Sequence, residues 1–439
     1  MSDTDNTKRR IDRRRFLVHA GAAAGIAGLA GCTLELDDES ADPDPSDDPA
    51  MPQFYEIEDK PDAVYLPTHR EAMRMLEPVE AGEYTLAPML SYPHPFWIIS
   101  GNEIQEEVPE DGNGVHLMMT VWDTDTGIVL PVDSGAQLRV EKNGEQVGSP
   151  RTPWPMISQQ MGFHFGDNVT LEEDGTHTAE VTLPPLDVRT TGELEGKYEE
   201  TQTLSFEFEY DQEFREEVVA GVEYFDEDEW GELGALEPMD HGEHDHRDKE
   251  DHHHEDDDHE HGDDGHHHDE EDHEHGDDDD HHDHEHDADG EHDDHAHVPY
   301  SELPPAEEYP GTHLKPADGD EEATSGDAVF VTTLFEPGSR LVDGDEQYLL
   351  VSPRTPYNRV PLADMSLSAS VDDGESVSLE QTIDDEFDLH YGGPLEDVES
   401  GDDVTVEIDS FPQVARHQGY DTAFLDMPPV ELTVPEVDE

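Results

Sequence analysis

Three side chains in the first half of the sequence have the types and the spacing to hold a metal ion. His116 lies in an alternating apolar run, and Met156 and His164 stand eight residues apart on either side of a short loop. A thioether favours copper, whereas an imidazole suits zinc, iron or copper, so this set predicts a mixed nitrogen and sulfur site. The spacing also fits a methionine that fills a core gap and two histidines that are hydrogen-bonded at a domain edge.

A second group of metal-binding side chains fills residues 241–297, which we call the His/Asp/Glu tract. Its 57 residues include 20 His and 28 Asp or Glu, with almost no apolar side chain. No core forms from such a composition, so we expect disorder, with many overlapping metal sites of modest affinity. A solvated spacer is the alternative interpretation. The most closely spaced candidate ligands are His252, His253, His254, His266, His267 and His268.

The regions on either side of the tract have the pattern of β-strands. Apolar and polar residues alternate over 177–183 and 203–210, and the segments 115–122, 137–141, 328–335, 348–351 and 404–408 are also strand-like. Asn143-Gly144 predicts a hairpin turn. Short strands separated by turns indicate an all-β fold, which we predict to be two immunoglobulin-like antiparallel β-sandwich domains joined by a disordered acidic His-rich linker.

The two strand-rich regions look like copies of each other. His164-Phe165-Gly166 parallels His390-Tyr391-Gly392, and the strand that begins at His116 parallels the strand that begins at Tyr348. The second copy therefore offers His390, and Arg416-His417 near its end, as further candidate ligands. We predict a surviving metal site in the first copy and a degenerate one in the second.

The N-terminus carries targeting signals. Arg13-Arg14-Arg15-Phe16-Leu17 has the twin-arginine arrangement, and a short apolar run then ends at Cys32, the only cysteine, where a lipobox places the lipidated residue. These features predict twin-arginine export and lipid anchoring through Cys32 at the extracytoplasmic face of the cell membrane. With one cysteine, the chain forms no internal disulfide.

The charge of the chain limits its partners. The 439 residues include 115 Asp or Glu and 22 Lys or Arg, a formal charge of −93. Nucleic-acid binding relies on basic contacts to phosphate, so we exclude it. Dense carboxylates are tolerated where high salt screens them, which favours a halophilic source. The sequence holds no phosphate-binding loop, dinucleotide fingerprint or hydrolase elbow, so we expect no enzyme activity.

Composition and pattern together divide the chain into seven segments. They are a twin-arginine lipoprotein signal over 1–31, an acidic tether over 32–80, the first sandwich over 81–214, a connector over 215–240, the tract over 241–297, a connector over 298–325, and the second sandwich over 326–437.

The first region also resembles a known family. The order Thr152-Pro153-Trp154-Pro155-Met156, then Gly162-Phe163-His164-Phe165-Gly166-Asp167-Asn168, then Leu183-Pro184-Pro185, is similar to the periplasmic ferrous-iron transport proteins. The likeness covers about 115–210. It implies an immunoglobulin-like sandwich that binds iron or copper beside an iron permease, with His116, Met156 and His164 as ligands.

Both copies depart from the family pattern. The family has a further His after an Arg that follows the Pro-Pro pair, but here Arg189 is followed by Thr190. The second copy has Arg416-His417 at about that place, but Tyr348 replaces the first His. Each copy alone thus holds part of the family's ligand set.

These observations predict an exported, lipid-anchored protein that gathers divalent metal ions and presents them for uptake, with a metal permease as its partner. Iron or copper is favoured for the sandwich, and zinc is an additional candidate for the tract. The alternative is a cell-surface structural or adhesion protein in which the tract is a spacer or an unspecific metal buffer. Asn168 also begins an N-glycosylation sequon.

Overall fold

A computed structural model of the chain describes residues 52–109, 113–239 and 298–436, apart from 343, 345 and 373. The part before the tract has one α-helix among its described residues, α1 (Gln212–Ala220). Its strands are β1 (His69–Arg70), β2 (Arg74–Met75), β3 (Val79–Ala81), β4 (Tyr84–Ser91), β5 (Phe96–Ser100), β6 (Glu103–Glu107), β7 (Val115–Asp123), β8 (Gln137–Lys142), β9 (Glu145–Arg151), β10 (Trp154–Ser158), β11 (Gly162–Val169), β12 (Gly175–Leu183), β13 (Arg189–Thr191), β14 (Gln202–Tyr210) and β15 (Glu223–Tyr224).

The part after the tract is also built from strands. They are β16 (Thr312–His313), β17 (Lys315–Pro316), β18 (Thr324–Ser325), β19 (Ala328–Phe335), β20 (Gln347–Arg354), β21 (Ser366–Val371), β22 (Val377–Asp384), β23 (Asp388–Leu395), β24 (Asp403–Ser410), β25 (Ala415–Arg416) and β26 (Val430–Thr433). Two single turns of 3₁₀ helix lie at Gly192–Leu194 and Ala306–Glu308. The all-β prediction is therefore confirmed.

The first half is a sandwich of two sheets. One layer has the strand order β2-β4-β7-β11-β10, and the other has the order β14-β12-β8-β9. Alternate side chains of each strand point inward, so Leu117 of the first layer joins Val181 and Phe206 of the second in one buried core. The predicted turn is present, because Asn143 and Gly144 both have positive φ between β8 and β9.

The second half repeats this arrangement. Its strand orders are β19-β20-β23-β22 and β21-β24-β26, and β22 pairs with both β23 and β21, which connects the two layers. The registers match as well, since His116 lies opposite Asn168 in the first half and Tyr348 opposite Pro394 in the second. The two halves thus share strand order and strand register.

The halves exchange one short strand each. β13 of the first half pairs in parallel with β22, and β25 of the second half pairs in parallel with β10 and antiparallel with β5. The other pairings among the described strands are antiparallel, as predicted. The exchange also changes the place of His417, which the sequence assigned to the second copy and which the structure places against the first.

The fold extends beyond the sandwich boundaries that the sequence indicates. Val64 and Tyr65, within the predicted tether, are fully buried, and β1 pairs with β15. Val298 and Leu303, within the second predicted connector, are also buried. Their apolar side chains lack strand periodicity, but Val64 and Leu303 belong to the main buried core and Val298 to a smaller apolar cluster. Among the described residues, no helix has the length and apolar character to span a membrane.

Candidate metal centre

Neighbouring strands bring the three predicted ligands of the first half to one place. His116 lies on β7, and Met156 of β10 lies directly opposite His164 of β11. Residues two apart on a strand share a face, so the register that pairs Asn168 with His116 puts His116 and His164 on the same side of the sheet. All three ligand side chains are fully buried. The structure therefore brings together the set that the sequence singled out.

The exchanged strand β25 adds a fourth side chain. His417 follows Arg416 directly, and its backbone N–H donates to the Ile157 carbonyl at 3.2 Å. Its ring centroid lies 5.6 Å from that of His116 and 5.2 Å from that of His164. The buried guanidinium of Arg416 donates to the carbonyls of Ala423 and Tyr420, which fixes the segment that carries His417. The second half thus supplies a fourth side chain to the place where the three predicted ligands of the first half lie.

The hydrogen bonds of these histidines determine which ring nitrogen carries the proton. Nδ1 of His116 lies 3.0 Å from the side-chain oxygen of Asn168, and Nδ1 of His164 lies 3.2 Å from the Gly162 carbonyl. Because both partners are acceptors, Nδ1 carries the proton and Nε2 keeps its lone pair. Nε2 of His116, His164 and His417 has no hydrogen-bond partner although it is buried. A buried nitrogen without a partner is costly, and a bound metal ion is one group that satisfies such an atom.

Met156 adds a thioether to the three imidazoles, and its sulfur lies beside Gly166. A Cβ built on Gly166 would lie 2.6 Å from Sδ of Met156 and 3.0 Å from Nε2 of His116. The sulfur and the nitrogen therefore converge on the space above the glycine, which any larger residue would fill. Three imidazoles and one thioether form a donor set that suits copper and, through its imidazoles, zinc or iron.

Two residues that the sequence analysis did not identify adjoin the centre. His94 follows β4, and its ring centroid lies 4.1 Å from that of His116 and 5.0 Å from that of His417. The ligand atoms of these three histidines lie within 4.8 Å of one another. Oε1 of Glu71 lies 3.3 Å from Nε2 of His94 and 3.5 Å from Nδ1 of His417. Neither residue lies in a periodic run, so the spacing in the sequence gave no signal for them.

Burial keeps the histidines neutral. It lowers the pKa of His164 to about 3 and that of His94 to about 4, and it holds the pKa of His116 well below its usual value. Burial raises the pKa of Glu71, but the neighbouring imidazole of His94 and the hydrogen bond with His417 outweigh it and hold that pKa below its usual range. At neutral pH these histidines are in the neutral form that binds metal, beside a carboxylate.

The second half provides a matched comparison. By register, four side chains around the second half's equivalent position match the four of the centre. Tyr348 matches His116, Thr382 matches Met156, His390 matches His164, and Thr191 matches His417. Here the polar atoms bond to one another. The Tyr348 hydroxyl lies 3.2 Å from Nε2 of His390 and accepts from Nη1 of Arg189 at 3.2 Å. A fixed guanidinium lies beside the remaining histidine, so this place does not suit a cation.

The remaining predicted residues lie elsewhere. His390 is in this closed cluster rather than in the centre. The tract histidines His252, His253, His254, His266, His267 and His268, and the lipidation site Cys32, lie outside the described residues. The side-chain amide of Asn168 is hydrogen-bonded through both of its ends: its Oδ1 contacts His116, and its Nδ2 donates to the His94 carbonyl at 2.9 Å.

Fold and centre together define an all-β protein with a buried cluster of histidines and a methionine. A family described as a domain of unknown function, DUF7350, matches residues 307–433. No curated protein matches the chain. Two solved structures of FetP from uropathogenic Escherichia coli strain F11 are similar, one a copper-bound variant and the other the protein as isolated. Each has 20% identity and a TM-score of 0.24, and covers 32% of this chain and 97% or 96% of that chain.

Proposed function

We propose that this chain is an exported metal-binding protein that holds one copper or iron ion among His116, Met156, His164 and His417. The observation that carries the proposal is the contrast between the two halves. In the first, the buried Nε2 atoms of three histidines have no partner. In the second, His390 at the matching position is bonded to Tyr348. The same fold therefore holds one open donor set and one closed set.

The donor set favours copper over iron. A thioether is a soft ligand that selects Cu(I), and imidazole accommodates both Cu(I) and Cu(II). Glu71 adds a hard oxygen donor beside His94 and His417, which would support a divalent ion. The site thus combines ligands for both oxidation states of copper.

The His/Asp/Glu tract would gather ions for this centre. The described residues on both sides of it contact the loop that follows Met156 and β10. The Met239 N–H donates to the Gln160 carbonyl at 2.9 Å, and Val298 packs against Met161. Ions held by a chain attached at these points are confined near the centre, which raises their effective concentration there.

The location of this activity is part of the proposal. Twin-arginine export and lipidation of Cys32 would hold the protein at the outer face of the membrane, where metal ions arrive. A metal permease in the same membrane would receive the ion. High external salt would screen the formal charge of −93.

The test is a titration of the exported chain with Cu(I), Cu(II), Fe(II) and Zn(II), with and without residues 241–297. We expect the deleted chain to retain one tight site, which His164→Ala removes and His390→Ala leaves intact. His390→Ala is a matched control because both histidines are fully buried at equivalent positions. Loss of all tight binding on deletion would assign the function to the tract alone.

A further inference from the structure

We propose a second metal position outside the buried centre, formed by His69, Glu71 and Met73, through which ions enter. This proposal rests on the proposed function, because ions bound at this position would pass to the same buried centre. It would take a copper or other divalent transition-metal ion. The three residues line a small cavity of about 30 Å³ that also reaches His417. One residue of the buried centre is thus accessible from this cavity.

His69 is arranged in the same way as the ligands of the buried centre. Its Nδ1 lies 2.9 Å from the Thr68 hydroxyl, which donates to Oε1 of Gln418 at 3.0 Å. The hydroxyl uses its proton on Gln418, so Nδ1 of His69 donates and Nε2 keeps its lone pair. That Nε2 is buried without a partner, and the residue is 8% exposed. None of the described contacts satisfies Nε2 of His69, and a bound metal ion would.

Glu71 connects the second position to the centre. Its Oε1 lies between His94 and His417, at 3.3 Å and 3.5 Å from their nitrogens, and Glu71 also lines the cavity. Its backbone N–H donates to the side-chain oxygen of Gln160 at 3.2 Å, which fixes this part of the chain. A carboxylate with two oxygens serves one ion on each side.

Thioethers line the remaining wall. Met73 and Met161 both border the cavity, and they pack in one cluster with Val298. Thioethers bind copper, especially Cu(I), and their flexible side chains adapt to an arriving ion. The cavity has room for about one or two water-sized groups, which fits a partly hydrated ion.

The two positions form a relay. An ion bound by His69 and Glu71 exchanges these ligands for His417. His417 lines the cavity and also belongs to the buried centre. The His/Asp/Glu tract joins the fold at the same place, since Gln160 and Met161 line the cavity and contact Met239 and Val298. The entrance thus lies where the tract would deliver its ions.

The test uses the full chain in two measurements. Crystals soaked in Cu(II) are measured at the copper edge, and we expect anomalous density at two positions, one beside His69 and one between His116 and His164. Loading of the inner centre by Cu(II) is then followed by stopped-flow absorption. In His69→Ala we expect the outer density to disappear, the inner density to remain and loading to slow by about tenfold or more. Met73→Leu keeps the packing and removes the thioether, and this variant should also load Cu(II) more slowly.

His177→Ala is the matched control. His177 is also buried and its Nδ1 also lies near a carbonyl, that of Gly175 at 2.9 Å, but it lies on β12 in the other sheet. The His177→Ala variant should load Cu(II) at the same rate as the unaltered chain. Density at the inner centre alone, with unchanged loading in His69→Ala, would overturn the second position while leaving the proposed function intact. Absence of density at both positions would overturn the proposed function itself.

Discussion

Replacing Gly166 by Ala tests whether the space between Met156 and His116 is the metal position. The added Cβ would lie 2.6 Å from Sδ of Met156 and 3.0 Å from Nε2 of His116. Ordinary contacts of this kind are about 3.5–4.0 Å, so the sulfur must retreat by about 1 Å. Metal bonds tolerate deviations of about 0.2 Å, and we therefore expect affinity to fall at least 100-fold, or about 2.7 kcal/mol.

The fold should withstand this substitution. One added methyl in a packed region typically costs about 1–3 kcal/mol. Gly392→Ala is the matched control, because its Cβ would meet the Tyr348 hydroxyl in the closed cluster of the second half. Competition with a chromophoric chelator measures affinity, and urea unfolding measures stability. Gly392→Ala should lower stability and leave metal affinity unchanged. Unchanged affinity in Gly166→Ala would refute the assignment of the metal position.

Three further predictions concern the same centre. In the metal-free chain, the pKa of His164 is about 3 and that of His94 about 4, against 6.5 for an exposed histidine, so unfolding takes up protons below 6.5. The contribution of each of these histidines to stability should therefore fall by about 1.4 kcal/mol per pH unit as pH drops from 6.5 towards 4, and urea titrations of His164→Gln should lack the share of His164 in that slope. Asn168→Leu removes the acceptor that fixes His116, so affinity should fall about 10- to 100-fold in the chelator assay, and an unchanged value would argue against this role. Arg416→Ala leaves buried carbonyls unpaired behind His417, so it should cost about 1–3 kcal/mol in stability for each unpaired carbonyl and weaken metal binding together; a loss in only one of the two would contradict the link.

Local sequence patterns predict much of the fold. Alternation identifies β12 and β14 because each has one face in the core and one in water. Asn143-Gly144 predicts its hairpin because both residues readily take positive φ. The repeat is visible because the strands of both halves place similar residues at the same register. These features depend on neighbours in the sequence or on internal similarity.

The exchange of strands is not predictable in this way. β13 and β25 are 3 and 2 residues long and pair in parallel with distant strands, so no local period marks them. The candidate ligand set is therefore divided between halves that the sequence shows as separate domains. Arg189-Thr190 looks like a lost ligand in the first copy, whereas the structure supplies His417 from the second.

His94 and Glu71 were missed for a related reason. His94 lies between two prolines after β4, and Glu71 lies in a segment that composition assigns to a tether. Each is an ordinary exposed residue type in a non-periodic segment. Only the pairing of Ser91 with His116, and of β1 with β15, brings them to the centre.

The most direct test of a centre shared by both halves is electron paramagnetic resonance of the chain loaded with one equivalent of Cu(II). We predict a single species with nitrogen hyperfine coupling from several imidazoles in the chain lacking residues 241–297. His417→Ala should remove one nitrogen and weaken binding, and His390→Ala should leave the spectrum unchanged. A spectrum that is insensitive to His417→Ala, or that changes equally with His390→Ala, would contradict the shared centre.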